Sequence, residues 1–364
     1  MRKILTIFPL AENVHLTKDV GMVPFIMHKF YNYDATLACY SSGPFPNLEI
    51  DTPGLKLLRI PKITGVATLD TVFFLLRHAR RFDILIGFHY SFFTGITTTF
   101  FKLLNRFKRQ KVVYIKLDAK EDIFKMKERK ILRKLMGFAD ILSIENTSIY
   151  NPLVREFENL LYVPNGFYPK NPKYLLPKKN IFLTVGRIGS PEKSNDVLMN
   201  AFAKVAKLLP SWNLSLVGPI HEEFQSFISS FFSKHPDLKE RINFTGPIFD
   251  RKELMLKYNE SKIFVLTSKW EGFALVFLEA GIAGCTIVSS DILPANDVTN
   301  NGRFGRIFPV DDVDALKEAL LNLAKNEEFL KNNSTAISSF YQENFYWPNI
   351  LSTVNNKIET FLYK

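Results

Sequence analysis

The chain is predicted to be an α/β protein made of two tandem doubly wound domains, each a parallel sheet covered by helices, and three observations predict it. Short apolar runs alternate with segments of helical periodicity along the 364 residues. Most of these runs are apolar throughout, as strands buried on both faces are. Near the middle, "NGFYPKNPKYLLPKKN" (165–180) is proline-rich and aperiodic, the composition of a linker. The expected division is 1–168, joined by a terminal helix over 345–364 that crosses back, and 169–344.

In chain order, "KILTIF", "ATLACY", "LKLLRI", "DILIG", "KVVYIK", "DILSI" and "LLYVP" read as strands of the first domain. Helical patterns fall between them at about 20–32, 69–81, 91–106, 126–138 and 147–157. In the second domain "IFLTVG", "NLSLVG", "RINFTG", "KIFVLTS" and "TIVSS" read as strands. The segment 195–209 places apolar residues at 197, 198, 201, 202, 205, 208 and 209, one face of a helix. Open sheets of this kind bind ligands beyond the carboxyl ends of their strands, and two facing sheets would place a site in a cleft between them.

Composition narrows the classes. A hydrophobic fraction of 46% suits a large core. Cys39 and Cys285 stand far apart and form neither a metal spacing nor a disulfide framework, which fits a reducing cytoplasm. "MRKILTIFPLAENVHL" meets Glu12 early and lacks a small-residue cleavage pattern, so it reads as a first strand rather than a signal peptide. No run approaches the ~20 apolar residues of a membrane span. The net charge of +11 is uneven: residues 1–170 hold 25 Lys and Arg against 15 Asp and Glu, residues 171–364 hold 22 against 21.

The stretch "KWEGFALVFLEAGIAG" (269–284) carries two acids, Glu271 and Glu279. Glu271 follows a strand, and a helix beginning near Ala274 would place Glu279 in its second turn. Eight helical residues rise roughly 12 Å, too far for a shared proton. The pair can grip two ends of an elongated ligand, with the backbone N–H groups of Phe273, Ala274, Leu275 and Val276 between them suited to phosphate. It can equally be a first-turn acid and a solvated glutamate. "VGRIGSPEKSND" (185–196) adds a strand-to-helix loop in which Gly186 and Gly189 permit tight turning and Arg187 and Lys193 supply cations. "DVD" (312–314) precedes a helical pattern and reads as an N-cap rather than a metal motif. No H-E-x-x-H and no P-loop occurs, and no metal ligand is assigned.

"TVGRIGSPEKSNDVLMNAF", "FTGPIFDRKEL", "LTSKWEGFALVFLEAGIAGCTIVSSD" and "YVPNGF" occur together in an order and spacing that resembles the retaining glycosyltransferases of family 4, of the two-Rossmann GT-B class with an E-x7-E motif. The resemblance is close over about 160–350 and weaker over 1–160. It implies two Rossmann-like domains and a nucleoside-diphosphate sugar (UDP or GDP) as donor, with no cofactor and no metal. It implies that Glu271 contacts the transferred sugar, Glu279 the ribose, and Arg187 and Lys193 the diphosphate, aided by Gly186 and the amides of 273–276. Ala274 stands where the family usually has Gly. The resemblance further implies base contacts near Ile248 and a phosphate-touching loop in the first domain, for which the chain offers Gly21. Where many members have a His-Asp pair, "VVYIKLDAKED" has Leu117 and Asp118, making Asp118 a candidate catalytic group beside Lys116. His89, at another strand end, is a weaker candidate.

The basic segments 100–111 and 123–138 mix cations with large apolar residues. In the second, Phe124, Ile131, Leu132, Leu135, Met136 and Phe138 can face inward while the cations face anionic lipid or solvent. Nucleic acid is not an expected partner, since no recognition motif occurs. The reading is a cytoplasmic retaining glycosyltransferase, peripheral at the inner membrane face, with a glycan or lipid-linked acceptor in surface polysaccharide or glycoconjugate assembly. The alternatives are a nucleotide-sugar epimerase or hydrolase, or a binding protein without turnover.

Overall fold

A computed structural model describes residues 1–40, 43–107, 111–117, 123, 128–168 and 177–363. They form two compact units, Met1–Gly166 with Trp347–Lys364 and Phe167–Tyr346.

Unit 1 contains β1 (Lys3–Ile7), β2 (Asp34–Cys39), β3 (Lys56–Arg59), β4 (Ile84–Phe88), β5 (Val112–Lys116), β6 (Ile141–Ile144) and β7 (Leu160–Tyr162). Its helices are α1 (Asp19–Tyr31), α2 (Asn47–Ile50), α3 (Ala67–His78), α4 (Phe92–Leu104), α5 (Lys130–Met136) and α6 (Thr147–Leu153). The strands are parallel in the order β3-β2-β1-β4-β5-β6-β7. Side-chain caps start two of the helices: Ser91 Oγ accepts the Thr94 N–H at 3.2 Å, and Asn146 Oδ1 the Ile149 N–H at 2.9 Å.

Unit 2 contains β8 (Lys179–Val185), β9 (Asn213–Val217), β10 (Ile242–Gly246), β11 (Ser261–Leu266), β12 (Thr286–Ser290) and β13 (Gly305–Phe308). Its helices are α7 (Asn195–Val205), α8 (Gln225–Lys234), α9 (Arg251–Glu260), α10 (Leu275–Ile282), α11 (Ala295–Thr299), α12 (Val313–Ala324) and α13 (Glu327–Asn344). The order is β10-β9-β8-β11-β12-β13, again parallel. Alternation along the strands divides the core between the two sheet faces. Phe182, Ile263 and Val265 pack with Phe202, Trp212 and Leu316 on one face; Leu183, Phe264 and Leu266 pack with Phe277 and Tyr341 on the other. The last helix, α14 (Trp347–Leu362), belongs to unit 1, where it lies on α1 with the Tyr33 hydroxyl 2.7 Å from Glu359 Oε1.

The twelve strands expected from sequence are present, and β13 is an addition. It is a short edge strand with Gly305 and an exposed Arg306, so it offers no apolar run. A Cβ at Gly305 would fall 1.9 Å from the Ile287 carbonyl oxygen, which explains the residue there. The helix expected over 126–138 is confined to α5 among the described residues, and its packing corrects the expected inward face. Leu132 and Met136 are buried and Leu135 partly so, whereas Ile131 and Phe138 are exposed; Phe124 lies outside the described residues. A seven-residue helix covers fewer positions than the periodicity allowed for. The linker residues 169–176 also lie outside the described residues.

Candidate functional site

In unit 2, β8 and β11 are neighbours, but the chain leaves β8 toward β9 and β11 toward β12. The loops that follow them therefore diverge and open a crevice at the carboxyl end of the sheet, the place where such sheets take ligands. Residues 186–194 form the first loop. Gly189 has φ +81°, and a Cβ there would fall 2.1 Å from the Phe224 ring, so no side chain fits. Gly186 donates its N–H to the Val217 carbonyl at 2.9 Å. Asn195 Oδ1 accepts the Gly189 N–H at 2.7 Å, closing the loop onto the start of α7.

The second loop, 267–274, is tied to the first. Thr267 Oγ1 donates to the Lys193 carbonyl at 2.7 Å, and the Lys269 N–H donates to the Glu192 carbonyl at 2.8 Å. Asp311 joins both, accepting from Ser194 Oγ at 3.0 Å and pairing with Lys269 Nζ at 2.9 Å. The hydrogen bond from Lys269 holds the Asp311 carboxyl below its ordinary pKa. These ties bring Lys193 Nζ onto Glu271 Oε1, both side chains 16% exposed, and Ser268 Oγ donates to the same oxygen at 2.8 Å. Arg187 is ion-paired with Glu192, its side chain 70% exposed and able to swing. The two cations expected to act together thus each rest on an acid.

Ala274 is the N-cap of α10, and its side chain caps nothing. The N–H groups of Leu275 and Val276 consequently begin the helix without an intrahelical acceptor, directly after Glu271 in the chain. Phe273 is buried beside the Phe345 ring, with centroids 5.6 Å apart. Glu279 is not a solvated residue on an amphipathic helix. It is partly buried, and its Oε2 accepts from the Tyr258 hydroxyl of α9 at 2.8 Å. Burial pushes its carboxyl above the ordinary glutamate value, against the opposing effects of the Tyr258 hydrogen bond and the Arg251 charge. Tyr258 is fully buried, and burial with the nearby carboxylate pushes its hydroxyl pKa well up. Sequence reasoning passed over Tyr258 and Asp311. Met255, Tyr258 and Asn259, the buried positions of the highly charged α9, are the signal that could have found the tyrosine.

The remaining candidates lie elsewhere. Ile248 is partly buried after β10, next to Phe249, which is 92% exposed. Gly21 is not in a loop: it is the third residue of α1, its N–H bonds to the Lys18 carbonyl at 3.1 Å, and a Cβ would fall 2.5 Å from the Leu16 backbone. Asp118 lies outside the described residues. Lys116 is 1% exposed, with Glu145 Oε2 and Asn165 Oδ1 both at 2.9 Å and Asp19 Oδ2 at 3.3 Å. Burial alone would push this ammonium down, but the Glu145 and Asp19 carboxylates outweigh it and hold the pKa above the ordinary lysine value. His89 is exposed with a left-handed φ of +69°, its ring 5.6 Å from that of Phe8. Asp312 caps α12 through the Ala315 N–H at 2.9 Å, as the sequence indicated.

Residues 169–338 match the family model "Glycosyl transferases group 1". The fold is that of the GT-B glycosyltransferases. A glycosyltransferase from Rickettsia africae superposes with a TM-score of 0.75 at 16% identity, covering 99% of this chain and 98% of that one. HepE of Anabaena, solved with UDP, gives 0.74 at 15%, covering 99% and 100%. In sequence, an uncharacterized glycosyltransferase of Haemophilus influenzae is 30% identical over 166 residues, 45% of each chain. A phosphatidyl-myo-inositol mannosyltransferase of Mycolicibacterium smegmatis is 25% identical over 178 residues, 49% of this chain and 44% of that one. The chain thus spans less than half the length of the curated relatives it matches. Among the described residues no helix is long and apolar enough to cross a membrane.

Proposed function

We propose that the chain is a retaining glycosyltransferase of family 4, moving a sugar from a nucleoside-diphosphate sugar to a glycan or lipid-linked acceptor in surface polysaccharide or glycoconjugate assembly. One observation carries this reading: Lys193 and Glu271 meet beside the start of α10, at the switch point of a unit matched by the group 1 family. A diphosphate draws Lys193 off Glu271 and Arg187 off Glu192, and the α10 amides bind its remaining oxygens. Glu271, released from its cation, is then an acceptor for sugar hydroxyls, and Glu279 for the ribose. As the glycosidic bond to phosphate breaks, charge grows on the leaving diphosphate, where two cations and a helix end stabilise it without a metal ion. The acceptor hydroxyl attacks from the face the diphosphate leaves, and its proton passes to the departing phosphate oxygen. The HepE complexes with UDP and UDP-glucose are in keeping with a nucleotide-sugar donor, UDP or GDP.

The test is a panel of UDP- and GDP-sugars with chelator present, followed for free nucleotide with and without acceptors, and by NMR for anomeric configuration. Expected are acceptor-stimulated release and a retained configuration. No release with any donor, inverted product, or activity that needs added manganese or magnesium would overturn the corresponding part of the reading.

A further inference from the structure

We infer that Trp270 is a stacking platform for a sugar ring of the acceptor, so that the group receiving the sugar is itself a saccharide. The chain has three tryptophans. Two are core residues: Trp212 is 3% exposed and stacks on Phe182 with ring centroids 4.4 Å apart, and Trp347 is 2% exposed. Trp270 is 67% exposed, and its indole has no hydrogen-bond, ring or cation partner among the described residues. Single exposed apolar residues are ordinary on a protein surface. This one differs in that its backbone is held on both sides while its ring is left uncovered.

Both chain neighbours do the holding. The Lys269 N–H donates to the Glu192 carbonyl at 2.8 Å, and Lys269 Nζ pairs with Asp311 Oδ2 at 2.9 Å. On the other side, Glu271 Oε1 takes Lys193 Nζ and the Ser268 hydroxyl. Ser194 and Asp311, which hydrogen-bond to each other at 3.0 Å, both have left-handed backbones, with φ of +44° and +61°. Neither is glycine, so each conformation costs free energy that the surrounding contacts must offset, and strain of this kind gathers at ligand sites. Three loops thus fix the chain at 269–271 and leave the indole between them open.

Order along the chain selects the occupant, and here the inference rests on the proposed function. From Glu279 through the amides of Val276 and Leu275 to Glu271, that reading runs from ribose through diphosphate to the transferred sugar. Trp270 is the next residue in that direction, beyond the transferred sugar as seen from the nucleotide. A group there meets the molecule that receives the sugar. A pyranose suits an indole, because its C–H bonds carry partial positive charge and meet the negative π face. Its hydroxyls stay at the rim, where Lys269 and Asp311, 47% and 48% exposed, offer a donor and an acceptor. A nucleobase would also stack, but the same reading puts the base past Glu279, at the other end of the donor. A phosphate or an alkyl hydroxyl gives the ring no face to meet.

The test uses the fluorescence of the full chain, since the other two tryptophans are buried. The probes are the methyl glycosides of glucose, galactose and mannose, and the disaccharides maltose, lactose and cellobiose. At least one is expected to change the emission saturably in wild type and none in Trp270→Ala. With the donor and acceptor found in the panel, Trp270→Ala should raise the acceptor KM about tenfold, with a smaller change in kcat. Trp270→Phe, which keeps a ring, should recover most of that loss. Circular dichroism and calorimetry with UDP or GDP should show both variants folded and unchanged in nucleotide affinity. A wild-type acceptor KM in Trp270→Ala, a Phe variant no better than the Ala variant, or no response to any glycoside would overturn the inference. So would an equal loss of nucleotide affinity, which would set the ring against the donor. A saturable response lost in Trp270→Ala, in a chain that turns over no nucleotide sugar, would keep the platform and remove the proposed reaction. Turnover with an acceptor that has no sugar ring, at a KM that Trp270→Ala leaves unchanged, would keep the reaction and remove the platform.

Discussion

Lys116 of unit 1 and Lys193 of unit 2 both stand at the carboxyl end of a parallel sheet, and both meet a glutamate. Around Lys116, three acceptors from three other segments, Asp19, Glu145 and Asn165, answer the three N–H bonds of one ammonium, which is 1% exposed. Among the described residues Lys193 has one carboxylate partner; it is 16% exposed and sits between the 186–194 loop and the loop leading to α10. The first arrangement is saturated and can hold segments together; the second leaves donors that a ligand can claim. Near-identical sheet topology thus carries different chemistry, because topology positions the strand ends and the loops decide what stands on them.

The largest expected effect tests the sealed side of this contrast. Lys116→Met leaves the buried Glu145 and the partly buried Asp19 without their cation, which should cost about 3 kcal/mol of stability in urea unfolding. Nucleotide affinity should be unchanged; an equal loss of affinity would break the distinction. Lys193→Ala tests the open side. It should lower kcat/KM with the donor found in the panel by about 10- to 150-fold, the equivalent of ~1.5–3 kcal/mol for a charge-assisted hydrogen bond. Near wild-type kinetics together with a large loss of stability would make Lys193 a second Lys116.

The two acids sharpen the comparison further. Glu279→Gln should weaken free nucleoside diphosphate by several-fold, on the order of 1 kcal/mol, while Glu271→Gln should mainly lower kcat. Calorimetry in which Glu271→Gln loses more affinity than Glu279→Gln would reverse their roles. Glu279 also has a sign to check. Its folded-state pKa is raised, so its contribution to stability is present below the unfolded pKa and is lost as pH rises through the folded one. Glu279→Gln should therefore melt slightly higher than wild type at neutral pH while binding nucleotide less well.

The smallest effect belongs to Tyr258→Phe. Removing the hydroxyl that opposes the burial effect should raise the Glu279 pKa further. Nucleotide affinity should then fall by roughly 0.5 kcal/mol, more at mildly acidic than at alkaline pH. A loss independent of pH would make Tyr258 a packing residue only.

Much of this molecule is legible locally. The strand and helix alternation, the Asp312 cap and the glycines of the 186–194 loop follow from side-chain period, backbone hydrogen bonding and steric freedom, which act over a few residues. β13 escaped because an edge strand with Gly305 and Arg306 shows no apolar run. The resemblance assigns Gly21 to a phosphate-touching loop, although it falls in the helical pattern at about 20–32, and the sequence does not show the Leu16 backbone that excludes a side chain there. What the chain order could not decide is which charges meet. Lys193 and Glu271 are 78 residues apart, and Lys116 and Glu145 are 29 apart. Candidate cations and acids are visible one by one, but their pairing depends on which strands become neighbours and how deeply each pair is removed from water. Those are properties of the assembled sheet, and they alone separate a sealed ammonium from one a ligand can claim.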